Sequence, residues 1–133
     1  MQTLEQKRAK HALDKVRNIK DNYRGEQQEN FVSYVERLPA TILTNGLGQA
    51  MAMLLAQAKN KEESAHYLLY NALKDWLCRN DPEAPYKGES DLMAAIVSHD
   101  RAAYLRAQVE ALAYLEWFKK FVVAFLKEKK GKD

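Results

Sequence analysis

The chain is short of almost everything that builds turns and catalytic centres. It holds one cysteine, Cys78, so no intrachain disulfide can form. Its three histidines and that cysteine are widely scattered, without the ligand spacing of a structural zinc site. Five glycines and three prolines in 133 residues leave little material for turns, so a few long helices are expected in place of many strands. Long apolar runs are missing too. The longest, Ala50–Ala56 and Phe121–Leu126, are far too short to span a bilayer. The N-terminal "MQTLEQKRAKHALDK" is charged throughout and lacks the apolar core of a signal peptide. A cytoplasmic, reducing setting without membrane contact is the expectation.

What is present suits one folded unit. An apolar fraction of 47% supports a single core, expected over residues 1–127, with a Lys-rich solvated tail at 128–133. Charge is unevenly spread. The first 24 residues carry a net +4, residues 25–100 a net −5, and residues 101–133 a net +4. If the two ends fold side by side, they make one positive surface suited to phosphate backbones or to an acidic protein partner. A merely uneven surface charge is the plainer reading.

Periodicity predicts an all-α bundle of five to six helices. Ala9, Ala12, Leu13, Val16, Ile19 and Tyr23 share one face of a helix over residues 2–23, which Gly25 ends. A second helix starts near Gln27 and carries Phe31, Tyr34, Val35 and Leu38. Pro39 is expected to kink or restart it, and Asn45-Gly46 to cap it, so the apolar segment 38–48 reads as broken by proline and glycine. A third helix resumes at Leu47 and runs to about Lys59. The fourth, capped by Asn60 or Ser64, buries Leu68 or Leu69, Ala72, Leu73, Trp76 and Leu77. "NDPEAPYKGES" is the one long loop. A short fifth helix, with Ser90 as its cap, spans Asp91–Ser98, and Asp100 caps the last, about Arg101–Lys127. No alternating strand pattern or internal repeat occurs.

Few residues point to chemistry. "NGLG" at 45–48 is followed by no Gly-Lys-Ser/Thr, and Met51 stands where a dinucleotide loop needs glycine, so a helix junction or a close backbone approach is expected there. His11 falls on the charged side of the first helix, His66 in the first turns of the fourth and His99 beside a helix start. No catalytic or metal-ligating spacing joins them, and no cofactor is implied. The last helix carries surplus apolar surface. One stripe holds Tyr104, Ala111, Leu112, Leu115, Phe118, Val122 and Leu126, and a second holds Tyr114, Trp117, Phe121 and Phe125. Either the helix is central in the bundle or the second stripe meets another subunit. Lys20 and Lys119 fall within apolar stripes, as snorkelling side chains at a core margin or as the rim of a groove. Lys10, Arg17 and Arg24 form a basic stripe beside Lys20, and Lys7, Arg8, His11 and Lys15 a second on the other flank.

Three segments, "LEQKRAKHALDKV", "YVERLPATILTNGLGQAMAMLLA" and "RAAYLRAQVEALAYLEWFKKFVVAFL", resemble in kind and order the small helical subunit of the Cmr, or type III-B, CRISPR RNA-silencing complex. The likeness spans nearly the whole chain. The Leu-Pro followed by Asn-Gly-Leu is its most specific part. The resemblance implies a non-catalytic all-α protein whose copies stack as a short filament along the backbone subunits. Its partners would be the other subunits, further copies of itself, the CRISPR RNA and the target RNA. Contact would run through phosphates without sequence readout. Placement nominates Lys10, Lys15, Arg17, Lys20, Lys119 and Lys120 for those contacts, and Tyr114, Trp117, Phe121 and Phe125 for a subunit interface. Two alternatives stay open. One is a purely structural, self-associating adaptor for an acidic protein partner. The other is a helical metal-dependent hydrolase, which would need histidines and carboxylates to converge.

Overall fold

The computed structural model describes residues 1–127, so the tail expected at 128–133 lies outside the described residues. Six helices follow in order: α1 (Leu4–Asn22), α2 (Gly25–Asn45), α3 (Leu47–Ala58), α4 (Ala65–Leu77), α5 (Leu92–Ser98) and α6 (Arg101–Phe125). Local chemistry explains the boundaries. Thr3 and Gln6 close a reciprocal capping box ahead of α1. Ser64, Asp91 and Asp100 each accept a backbone N–H from the third residue of the helix they precede. Asp91, rather than Ser90, caps α5. Gly25 does more than end α1: at a φ of +59° it is the first residue of α2, directly after the extended Tyr23-Arg24.

Pro39 lies inside a helix. Of the kink or restart expected there, the restart does not occur: α2 is one helix from Gly25 to Asn45 with the proline inside it. A proline in a helix interior removes one hydrogen bond and costs about 3 kcal/mol. Leu38 and Ile42, on either side of it, are buried, and their packing holds the helix through the defect.

The other break is real and sits at Gly46, whose φ is +87°. The adjoining start of α3 has no side-chain cap of its own. Instead α6 supplies one from a distance: the backbone N–H of Leu47 donates to Gln108 Oε1 at 2.9 Å, and that of Gly48 to the Tyr104 hydroxyl at 3.0 Å. Two of the donors that a phosphate would need are therefore already taken. "NGLG" is a helix junction in which α3 starts directly against α6.

α6 is the central helix. It packs along α1 most extensively, then against α2, with further contacts to α4 and α3. Its buried residues recur at steps of three and four: Ala103, Ala107, Ala111, Leu115, Phe118 and Val122. Arg8 pairs with Glu110 and His11 with Tyr114, so the numbering of α1 and α6 climbs together and the two helices run parallel. The basic ends of the chain thus do lie side by side.

Candidate nucleic-acid interface

The two flanks of α1 have different fates. The flank holding Lys7, Arg8, His11 and Lys15 turns toward α4, α6 and the loop that follows α4. Arg8 donates through Nε and Nη2 to the buried Glu110 carboxylate at 2.6 and 2.9 Å, and Trp76 Nε1 donates to the same group at 2.9 Å. Lys7 meets Asp81 and Glu83 at 3.3 and 3.2 Å. Lys15 meets Asp75 on α4 at 2.5 Å. Arg79 lies over the Trp76 ring, 3.5 Å from its centre, and donates to the Trp76 carbonyl. These cations hold helices together and leave little positive field on that side.

His11, read from sequence as lying on the charged side, is half-buried in this network. It packs edge-on to Tyr114 and tilted on Trp76, with Nδ1 2.7 Å from the Tyr114 hydroxyl. Burial raises the Tyr114 pKa well above its ordinary value. The phenol therefore keeps its proton and donates to a neutral imidazole. Burial, with Lys15 second, holds the His11 pKa down at about 4.

The other flank faces solvent. Lys10, Arg17 and Lys20 on α1 are exposed, as are Lys119 and Lys120 on α6. Among the described residues no acid pairs with Arg17, Lys20 or Lys119. Lys10 and Lys120 each reach a carboxylate one turn away on their own helix, Asp14 at 2.9 Å and Glu116 at 3.3 Å. Exposed pairs of that kind contribute only about 0.3–0.5 kcal/mol, little enough for a phosphate to displace them. Lys15 stands apart from the other nominated cations, because it is half-buried and committed to Asp75.

The nominated interface stripe also divides. Tyr114 is fully buried, stacked on Trp76 at 5.4 Å and edge-on to Phe118. Its assignment to a subunit interface is corrected: α6 is central, and Tyr114 faces α1 and α4. Trp117 and Phe121 are half-buried and Phe125 is 44% exposed. Their rings follow one another at 5.6 and 6.1 Å, a short aromatic edge that reaches solvent.

Among the described residues, no group of three His, Cys, Asp or Glu side chains is placed to hold a metal, and no helix is long and apolar enough to cross a membrane. Cys78 is buried, and burial raises its pKa to about 11.

The profile of the CRISPR-associated protein family Cas_Cmr5 matches residues 4–125, from the first residue of α1 to the last of α6. The chain belongs to this family. It is 31% identical to the CRISPR system Cmr subunit Cmr5 of Thermus thermophilus, over 96% of this chain and the whole of that one. The fold agrees with a crystal structure of a CRISPR-associated Cmr5 family protein from Thermus thermophilus. The TM-score is 0.72 at 29% identity, covering 96% of this chain and all of the other. Both basic helices and the aromatic edge of α6 lie within the span that the family match covers.

Proposed function

We propose that the chain is the small, non-catalytic subunit of a type III-B CRISPR ribonucleoprotein. Copies stack as a filament along the backbone subunits, and the outward cations of α1 and α6 touch guide or target RNA phosphates without reading sequence. Family membership over 4–125 supports the subunit assignment. The observation that carries the RNA contact is that Arg17, Lys20 and Lys119 are exposed without an acidic partner among the described residues, on two helices that pack side by side. A non-catalytic role is supported by how the reactive side chains are used. His11 bonds Tyr114, His66 stacks on Tyr34, and His99 meets Glu89 at 3.0 Å. In this reading the protein works in the cytoplasm, without a cofactor.

The test is a filter-binding titration of the assembled complex carrying Lys20→Glu and Lys119→Glu. Target-RNA affinity is expected to fall, and the slope of log K against log salt to flatten by roughly 0.7 for each lost single-strand phosphate contact. Unchanged affinity and slope would remove both lysines from the interface. A structural adaptor without RNA contact is favoured by one feature, the exposed end of the Trp117, Phe121 and Phe125 edge. In that case the charge reversals leave RNA binding intact while changes on the edge prevent assembly.

A further inference from the structure

A pocket of about 140 Å³ lies where α2, α3 and the start of α4 meet, away from the basic flank of α1. Its floor is apolar, from Leu38, Ala50 and Leu54, all buried. Its wall is an aromatic pair: Tyr34 and His66 stack face to face with centres 3.9 Å apart and planes 17° apart. Arg37 leans over the Tyr34 ring, 5.2 Å from its centre, and among the described residues it has no acidic partner. Gln57 stands on the rim as a side chain able both to donate and to accept. Burial, and then the Arg37 charge, lower the His66 pKa, which keeps that imidazole neutral and fit for stacking.

We propose that this pocket takes a single unstacked nucleobase of RNA, held against the Tyr34–His66 pair with Arg37 on the adjoining phosphate. The inference rests on the RNA-contacting reading above and extends it from phosphates to a base. Three properties coincide. The volume is below the roughly 300 Å³ at which small-molecule pockets begin, so it admits a flat ring and excludes a whole nucleotide. Tyr34 and His66 cover one face of each other, so the π-surface left for a base is the outer side of the pair, which any base can use, and binding is tolerant of sequence. The rim offers a cation within reach of that ring, and a ring with an anion beside it is what single-stranded RNA presents when one base is splayed out. A duplex keeps its bases stacked and cannot fill the site.

The test is photocrosslinking of the full chain to a short oligouridine containing 5-iodouridine, with a duplex of the same length as control. Crosslinks are expected at Tyr34 or His66. Tyr34→Leu keeps apolar contact but removes the ring, and is expected to abolish them and weaken single-strand binding about five- to hundred-fold, with duplex binding unchanged. Arg37→Gln lies on the exposed rim and leaves the core alone, so it decides the matter if Tyr34→Leu does not fold. It is expected to flatten the salt slope for the single strand. Crosslinks confined to α1 and α6, equal losses for single strand and duplex, or occupancy by an acidic aromatic peptide but not by the oligouridine would each overturn the pocket. If the pocket fails while Lys20→Glu and Lys119→Glu still flatten the slope, the phosphate contacts stand. If that flattening is also missing, both readings fall.

Discussion

At the scale of single residues, the decisive side chains are those that charge counting misjudges. Arg8 reads as one more surface cation on a basic helix, yet its partner Glu110 lies 102 positions away and is almost fully buried. Nothing local in "RAQVEALAY" announces that Glu110 turns inward. Only Trp76 and Arg8, delivered by two other helices, make its burial tolerable. Glu110→Ala strands a guanidinium and an indole N–H, and a loss of about 3–5 kcal/mol is expected in a urea melt. A cost below about 1 kcal/mol would show that the pair is effectively solvated. His11 has a folded pKa of about 4 against an ordinary 6.5, set first by burial, with Lys15 and Arg79 pressing it down and Asp75 and Asp14 opposing them. The unfolded chain therefore binds the proton more readily. The stability that comes from neutral His11 is complete above pH 6.5 and is lost as pH falls toward 4. Thermal melts should show the advantage of wild type over His11→Gln shrinking from about pH 7 to about pH 5. An advantage that stays constant would rule the linkage out.

At the scale of elements, caps and periodicity are readable in the sequence and long-range compensation is not. Ser64 and Asp100 announce their helices, and the spacing of Leu69, Ala72, Leu73, Trp76 and Leu77 marks the buried face of α4. A helix restart at Pro39 is ruled out only by context, because local rules count the lost hydrogen bond but cannot see Leu38 and Ile42 settling into the core around it. Gly46 is legible as a break, whereas its dependence on α6 is hidden 56 or more positions downstream. A Cβ at Gly46 would stand 2.9 Å from the Tyr104 hydroxyl on a backbone of positive φ, while a Cβ at Gly25 meets open space. Gly46→Ala is therefore expected to lower stability by about 2–3 kcal/mol, and Gly25→Ala by about 1 kcal/mol, in parallel denaturant titrations. Equal costs would mean that the crowding at Tyr104 relaxes freely. Tyr104→Phe removes the acceptor for the Gly48 N–H and should cost about 1 kcal/mol by the same measurement.

At the scale of the molecule, the class, the helix order and the basic ends are all legible, because each is written in composition or in short-range spacing. Which cations stay outside is not, since neutralisation of Lys7, Arg8 and Lys15 depends on acids contributed by α4, the loop after it and α6. The excess of aromatic surface on α6 is visible, but its division between core and solvent requires the neighbours: Tyr114 goes inside and Phe125 outside. Phe125→Ser should leave the melting temperature of the isolated chain nearly unchanged, since its ring is already 44% exposed. Incorporation into the assembled complex should fall, as read by co-purification with CRISPR RNA; undiminished incorporation would free the edge of that role. The pairing of α1 with α6 also sets an order of events at birth. On the ribosome α1 is made before α6, its main partner, and roughly ten seconds of synthesis separate them at ordinary elongation rates. During that interval the apolar stripe of Ala12, Val16 and Ile19 lacks its main cover, and α4, which also packs on α1, arrives later as well. Arrival of α6, more than any local helix formation, is the moment at which α1 finds its place in the core.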